Sequence, residues 1–210
     1  GRGQVAARMR AAPNRQVPAA LPTPAAALRL SGPMRDVVHS LQLELADEAR
    51  GVWRSLSLRV ARHPSESVAM FHTRLLAWAL FWSEGLELRQ GVGRGNEPAL
   101  WELDLTGRYK LWIDVGLPDM DRLRHAISRA DEVVLVACPA DERALAAWKS
   151  KAWKGRRFPR FLLPPREVIE GLEGWLDRRM EWYLHREADE ISISSEHGML
   201  GGLLVDVGLS

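Results

Sequence analysis

Two acids, Glu97 and Asp114, stand in the stretch NEPALWELDLTGRYKLWIDVG, whose pattern predicts two strands meeting at a turn. A two-residue turn at Thr106-Gly107 would set Trp101 opposite Trp112, Leu103 opposite Lys110 and Leu105 opposite Arg108. In that register Asp114 faces Ala99 and lies diagonally from Glu97 on the same side. Asp104 points to the other face, opposite Tyr109. Carboxylates on facing strands suit a hard divalent cation such as Mg²⁺ or Mn²⁺, which takes oxygen ligands and keeps several waters. A cation held there polarises a phosphodiester and lowers the pKa of a bound water. The hairpin is therefore a candidate hydrolytic metal site. A plainer reading stands beside it, with Asp114 as a buried acid satisfied by backbone or by Arg122 and Glu97 as a solvated acid before Pro98.

The elements around the hairpin follow from periodicity. VVHSLQLEL places Val37, Leu41, Leu43 and Leu45 on one face at period two. DEARG supplies a turn, and WRSLSLRVA alternates again through Leu56, Leu58 and Val60, which predicts an antiparallel hairpin. HPSE opens a helix whose stripe runs through Val68, Phe71, Leu75, Ala79 and Trp82, with Gly85 as its expected C-terminal cap. A short strand LELRQ and the loop GVGRGN lead into the acidic hairpin. The spacing of those glycines is not that of a phosphate-cradling loop.

Beyond the hairpin, LPDMDRLRHAISRA begins a helix at Asp119 with apolar residues at 123, 126, 127 and 130. EVVLVAC is apolar without alternation, the pattern of a strand buried on both faces. ADERALAAWKSKAWK predicts a helix, RFPRFLL a short strand, and PPREVIEGLEGWLDRRMEWYL a helix that turns extended. ISISSEHGMLGGLLVDVGL predicts a closing hairpin around His197-Gly198. The alternation of strand and helix indicates an α/β core, and the flanking hairpins make its sheet mixed.

Composition narrows the function classes. With 46% hydrophobic residues and nine Trp, the chain of 210 residues has the material for one sizeable core. Residues 1–34 hold five Arg and no acid, so the net +2 of the whole leaves about −3 for the remainder. The body is not a broadly basic nucleic-acid platform, and any such contact is local. The best local candidate is Lys149–Arg157 in WKSKAWKGRR. Residues 1–34, rich in Ala, Pro and Arg, read as a disordered leader. The opening Gly suggests a fragment or processed chain, and the composition also matches a transit peptide. A spurious upstream start or cloning remnant is the preferred reading of the leader. The single Cys138 excludes an intramolecular disulfide and a cysteine zinc site, and reads as a buried inert thiol. No apolar stretch approaches the roughly 20 residues of a membrane span, so a cytoplasmic protein without a membrane partner is expected.

Taken together, SLSLRVARHPSESVAMFHTRLLAWALFWSEGLEL, NEPALWELDLTG, LWIDVGLPDMDRLRHA and ADEVVLVAC resemble the bacterial YaeQ family, whose biochemical function is unsettled. That family is placed in the PD-(D/E)XK nuclease superfamily. The resemblance implies one restriction-endonuclease-like α/β domain over residues 35–210, a mixed β-sheet flanked by helices with additional β-hairpins. It sets Asp114 at the acid of the (D/E)XK element. Ala99 stands where family members carry Asp or Glu after the EP of Glu97-Pro98. Gly116, usual in the family, stands where superfamily nucleases keep Lys. Arg122 and Arg124 match the following helix, and His125 replaces its usual Lys.

The implied activity is a weak or degenerate divalent-metal-dependent nucleic-acid hydrolase. Asp114 and Glu97 would hold Mg²⁺ or Mn²⁺ with help from Glu84, and Arg122 or His125 would steady the phosphate. The alternative is a non-catalytic nucleic-acid- or protein-binding module on the same scaffold.

Overall fold

The computed structural model describes residues 35–90, 97–138 and 159–208. The leader, the GVGRGN loop, the helix expected over 140–154 and the basic run Lys149–Arg157 all fall outside those residues.

The first hairpin forms as its alternation requires. Strands β1 (Val37–Asp47) and β2 (Val52–Arg62) pair antiparallel, Leu41 opposite Leu58 and Leu43 opposite Leu56. Leu41, Leu43 and Leu45 are buried, while Gln42 and Glu44 between them are exposed. The chain then enters helix α1 (Val68–Leu80), whose cap is Ser67, with Oγ accepting from the amide of Met70 at 3.1 Å.

The stripe expected for α1 understates its burial, because every residue from Phe71 to Leu80 is buried. The helix lies between two sheets. Phe71 meets His39 of β1 with ring centres 5.0 Å apart, and other core members on its far side include Leu100, Ile113 and Val134. Gly85 does not cap it. The helix ends at Phe81, and Arg50, in the β1–β2 turn, donates to the carbonyls of Leu80 and Trp82. A cation from a neighbouring turn thus satisfies the last carbonyls of the helix.

The sheet is not single, as expected from sequence; there are two, each mixed. One has the order β10-β9-β8-β1-β2, with β8 (Arg179–Glu187) parallel to β1, and β9 (Glu190–Ser195) and β10 (Gly198–Leu203) added antiparallel. The other has the order β11-β7-β6-β5-β4-β3. It contains β3 (Leu86–Leu88), β4 (Leu100–Leu103), β5 (Tyr109–Val115), β6 (Ala130–Val136), β7 (Arg160–Leu163) and β11 (Val205–Gly208). The C-terminal stretch expected as one hairpin is three strands, since after β10 the chain crosses at the buried Leu204 and β11 pairs with β7.

Helix α2 (Met120–Arg129) joins β5 to the parallel β6, and Leu123 and Ala126 pack with Trp112, Val133, Leu135 and Phe161 on the sheet face away from α1. Helix α3 (Arg166–Glu173) buries Val168, Ile169 and Leu172 in the core between the sheets. The expected two-sided burial of β6 holds, with Val133–Val136 all buried, and so does the buried, free thiol of Cys138.

His72 lies in the middle of α1 with no exposed surface, its ring centre 5.9 Å from that of Trp182. Neither ring nitrogen makes a hydrogen bond of normal geometry. Burial pushes its pKa down from 6.5 to about 4; the Val68 carbonyl one turn back opposes the shift, while His39 and Arg62 add to it. The unfolded chain therefore binds the proton first as pH falls. Stability from this group is complete above pH 6.5 and is lost as pH drops toward about 4. The loss is about 3 kcal/mol at one pKa unit per 1.36 kcal/mol. Replacing His72→Leu is expected to remove a loss of about that size from urea unfolding profiles across this window. An unchanged profile would show that His72 is not the titrating group.

Candidate functional site

The acidic hairpin keeps its expected register where it matters. Leu100 pairs with Ile113, Trp101 with Trp112, and Glu102 with Leu111. Nearer the turn the register shifts, and Leu103 pairs with Tyr109 rather than Lys110. The cause is Asp104, which sits in the turn instead of opposite Tyr109. Its carboxylate accepts from the Thr106 amide at 2.7 Å and the Arg108 amide at 3.0 Å. Gly107 then takes φ +81°, so the connection is a three-residue loop rather than a two-residue one. Lys110 instead pairs with Glu102 at 2.6 Å.

Asp114 is buried, with 4% of its surface exposed, and it lines a cavity of about 300 Å³ together with Ala99, as the register implied. Its partner comes from α2. The α2 cap, Asp119, fixes the helix start by accepting from the Arg122 amide at 2.7 Å. The Arg122 side chain then reaches back to β5, donating from Nε to Oδ2 at 3.0 Å and from Nη2 to Oδ1 at 2.7 Å. This is a side-on, bidentate guanidinium–carboxylate pair.

Arg122 Nη2 also donates to the main-chain carbonyl of Glu97 at 2.7 Å. Arg89, just after β3, donates from Nη1 to that carbonyl at 2.6 Å and to the carbonyl of Pro98 at 3.1 Å. Glu97 thus enters the site through its backbone, and the residue itself is exposed. Glu84 is an exposed turn residue before β3. His125 packs edge-on against Trp112 at 5.9 Å, two residues back from Asp114 along β5. Arg124 is turned outward to pair with Asp121. Among the described residues, no group of three or more His, Cys, Asp or Glu side chains is placed to hold a metal ion.

Two further arginines matter that periodicity did not single out. Arg74 is buried in α1 and is held by Glu66 through two contacts of 2.9 and 2.8 Å. It donates in addition to the carbonyls of Arg89 at 2.8 Å and Ala61 at 3.0 Å. A charge directly before the apolar run LLAWALFW was the available signal. Arg89 carried none, since a basic residue after a short strand is ordinarily solvated. Burial, and then the charges of Arg122 and Arg74, hold its pKa below the ordinary arginine value, against the opposing pull of Asp114 and Glu97.

A family model for the YaeQ protein matches residues 34–201. This chain belongs to the YaeQ family. It is similar to uncharacterised YaeQ proteins of Escherichia coli K12 and Salmonella typhi, at 33% and 32% identity over 115 residues. Those stretches cover 55% of this chain and 62% of each relative. The crystal structure of the YaeQ protein from Pseudomonas syringae matches with a TM-score of 0.75 and 29% identity, over 83% of this chain and 97% of that one. The YaeQ protein from Xanthomonas axonopodis pv. citri matches at 0.70 and 29%, over 82% and 98%.

Within this YaeQ-family chain, Gly116 has a backbone reason for its identity. It takes φ +87° where β5 ends, and its amide donates to Val136 at 2.8 Å. A side chain there enters the left-handed region. Gly116→Lys is therefore expected to cost about 1–2 kcal/mol in urea unfolding, the penalty of an L-residue in that region. A variant as stable as the parent would show that the position tolerates lysine.

Proposed function

We propose that this chain is a non-catalytic binding module for nucleic acid or protein, built on a restriction-endonuclease-like scaffold. In it an internal ion pair takes the place that PD-(D/E)XK nucleases give to a divalent cation. The β4–β5 hairpin, followed by α2 and the parallel β6, with an acid on β5, supports the likeness to that scaffold. One observation carries the functional reading: the Asp114 carboxylate is engaged on both oxygens by Arg122 and faces the methyl group of Ala99.

Those residues do not fit a hard cation. Mg²⁺ is commonly held by one or two carboxylates together with waters and substrate phosphates. Here Asp114, the one buried carboxylate among the described residues of the cavity, is already neutralised. Glu97 contributes a carbonyl shared by two arginines, and Gly116 contributes no side chain. The guanidinium of Arg122, in contact with Asp114, opposes a second cation at the same oxygens.

A second reading has its own observation. Asp114 and Ala99 line one cavity, so a single side chain separates this arrangement from a facing carboxylate pair. On that reading the chain is a weak Mg²⁺- or Mn²⁺-dependent nucleic-acid hydrolase using Asp114, Glu97 and Glu84, with Arg122 or His125 on the phosphate.

Calorimetric titration of Mn²⁺ and Mg²⁺ into the full chain, Asp114→Asn and Ala99→Asp/Arg122→Gln separates the two. The expected result is no saturable binding by the parent at millimolar metal, and measurable binding by the double variant. Metal binding by the parent that Asp114→Asn abolishes, with metal-dependent cleavage of nucleic acid, would establish the hydrolase instead.

A further inference from the structure

Arg89 lines the same cavity as Asp114, yet its hydrogen bonds are incomplete. Its Nη1 is spent on the carbonyls of Glu97 and Pro98, which fixes the plane of the guanidinium. Its Nε is buried and has no hydrogen-bond partner. In a guanidinium, Nε and Nη2 present parallel N–H bonds along one edge, which is the edge Arg122 uses on Asp114. On Arg89 the Nε end of that edge is itself buried, and Nη2, which makes no hydrogen bond, is the donor left for an oxyanion that no side chain of the described residues supplies.

Charge points the same way. Arg122 pairs with Asp114, and the buried Arg74 with Glu66, which leaves Arg89 as the charged side chain of the described cavity wall without an ion-pair contact. The other described residues of the wall, Ala99, Val115, Leu117 and Pro118, carry apolar side chains. A volume of about 300 Å³ is at the lower end of small-molecule sites and exceeds what one bare phosphate fills.

We propose that this cavity binds the phosphate group of an organic phosphate without a metal ion, with Arg89 donating from Nη2 to the oxyanion and the side chains of Ala99, Val115, Leu117 and Pro118 against the carbon skeleton nearest to it. This rests on reading Asp114–Arg122 as an internal ion pair rather than as a metal site. Phosphate is favoured over a cation by the sign of the wall, and a dianion gains most from a desolvated guanidinium. Burial and the nearby charges of Arg122 and Arg74 also disfavour the lone cation of Arg89, a penalty that a bound anion relieves.

The test is calorimetry on the full chain in EDTA at constant ionic strength, with ribose 5-phosphate, inorganic phosphate, and short oligothymidylates with and without a 5′-phosphate as probes. Saturable binding of ribose 5-phosphate is expected, with inorganic phosphate weaker. Of the oligonucleotides, the 5′-phosphorylated one is expected to bind more tightly if the source is a chain end, and both equally if it is the backbone. Arg89→Met should weaken binding by about tenfold or more, equivalent to about 1.4 kcal/mol. Leu117→Trp, which fills the cavity and leaves every charge in place, should do the same and covers the case in which Arg89→Met does not fold. Asp114→Asn removes the one anion among the described residues of the wall and should tighten binding.

No binding by the parent at millimolar probe, or binding that Leu117→Trp leaves intact, would overturn the proposal. Binding that requires Mn²⁺ and is lost in Asp114→Asn would instead overturn the ion-pair reading beneath it. Absence of both phosphate and metal binding would sink this inference alone.

Discussion

A guanidinium taken out of water must find acceptors for its N–H groups and a counter-charge, or the fold bears a cost of several kcal/mol. Arg74 meets that condition at the centre of this protein. It draws on Glu66 before α1, the carbonyl of Ala61 at the end of β2, and the carbonyl of Arg89 beyond β3. Those acceptors come from both sides of the helix, so satisfying one side chain ties the first hairpin to the start of the second sheet. Arg89, its backbone held there, reaches Glu97 and Pro98, where Arg122 also arrives from α2. Three arginines in series thus connect α1 to the acid on β5.

This network accounts for the arrangement of the acidic hairpin. An acid beneath α2 on a buried strand requires a counter-charge, and Arg122 is delivered to it by the helix that Asp119 starts. With Ala99 opposite, no second carboxylate competes for that guanidinium. Gly116, placed where the strand turns with a positive φ, answers a backbone requirement. The chain shares the YaeQ family's fold at TM-scores of 0.70–0.75 with the two solved relatives.

Much of the architecture was legible in the one-dimensional pattern, because period-two and two-sided apolar runs report burial directly. The β1–β2 hairpin, the buried β6, the Asp119 cap and the Trp101–Trp112 pairing follow from residue types and spacing. The misreadings concerned side-chain bonds that periodicity does not report, whether to a partner distant in sequence or within a turn. Arg50 caps α1 from 30 residues away, and Asp104 reshapes its turn through side-chain bonds that strand alternation does not encode. The division into two sheets was equally invisible, since nothing local marks Leu204 as the point where the chain leaves one sheet for the other.

The sequence by itself determined the inventory: an α/β chain, an acid on a strand opposite alanine, an arginine two residues into the next helix, and membership in a family through several ordered motifs. Tertiary structure decided what that inventory does. Burial on every side of α1, the engagement of both Asp114 oxygens and the unsatisfied donor of Arg89 are properties of distances between elements. Periodicity tells which side of an element is dry; only packing tells which polar groups share that dry space, and there the pairing of charges sets their chemistry.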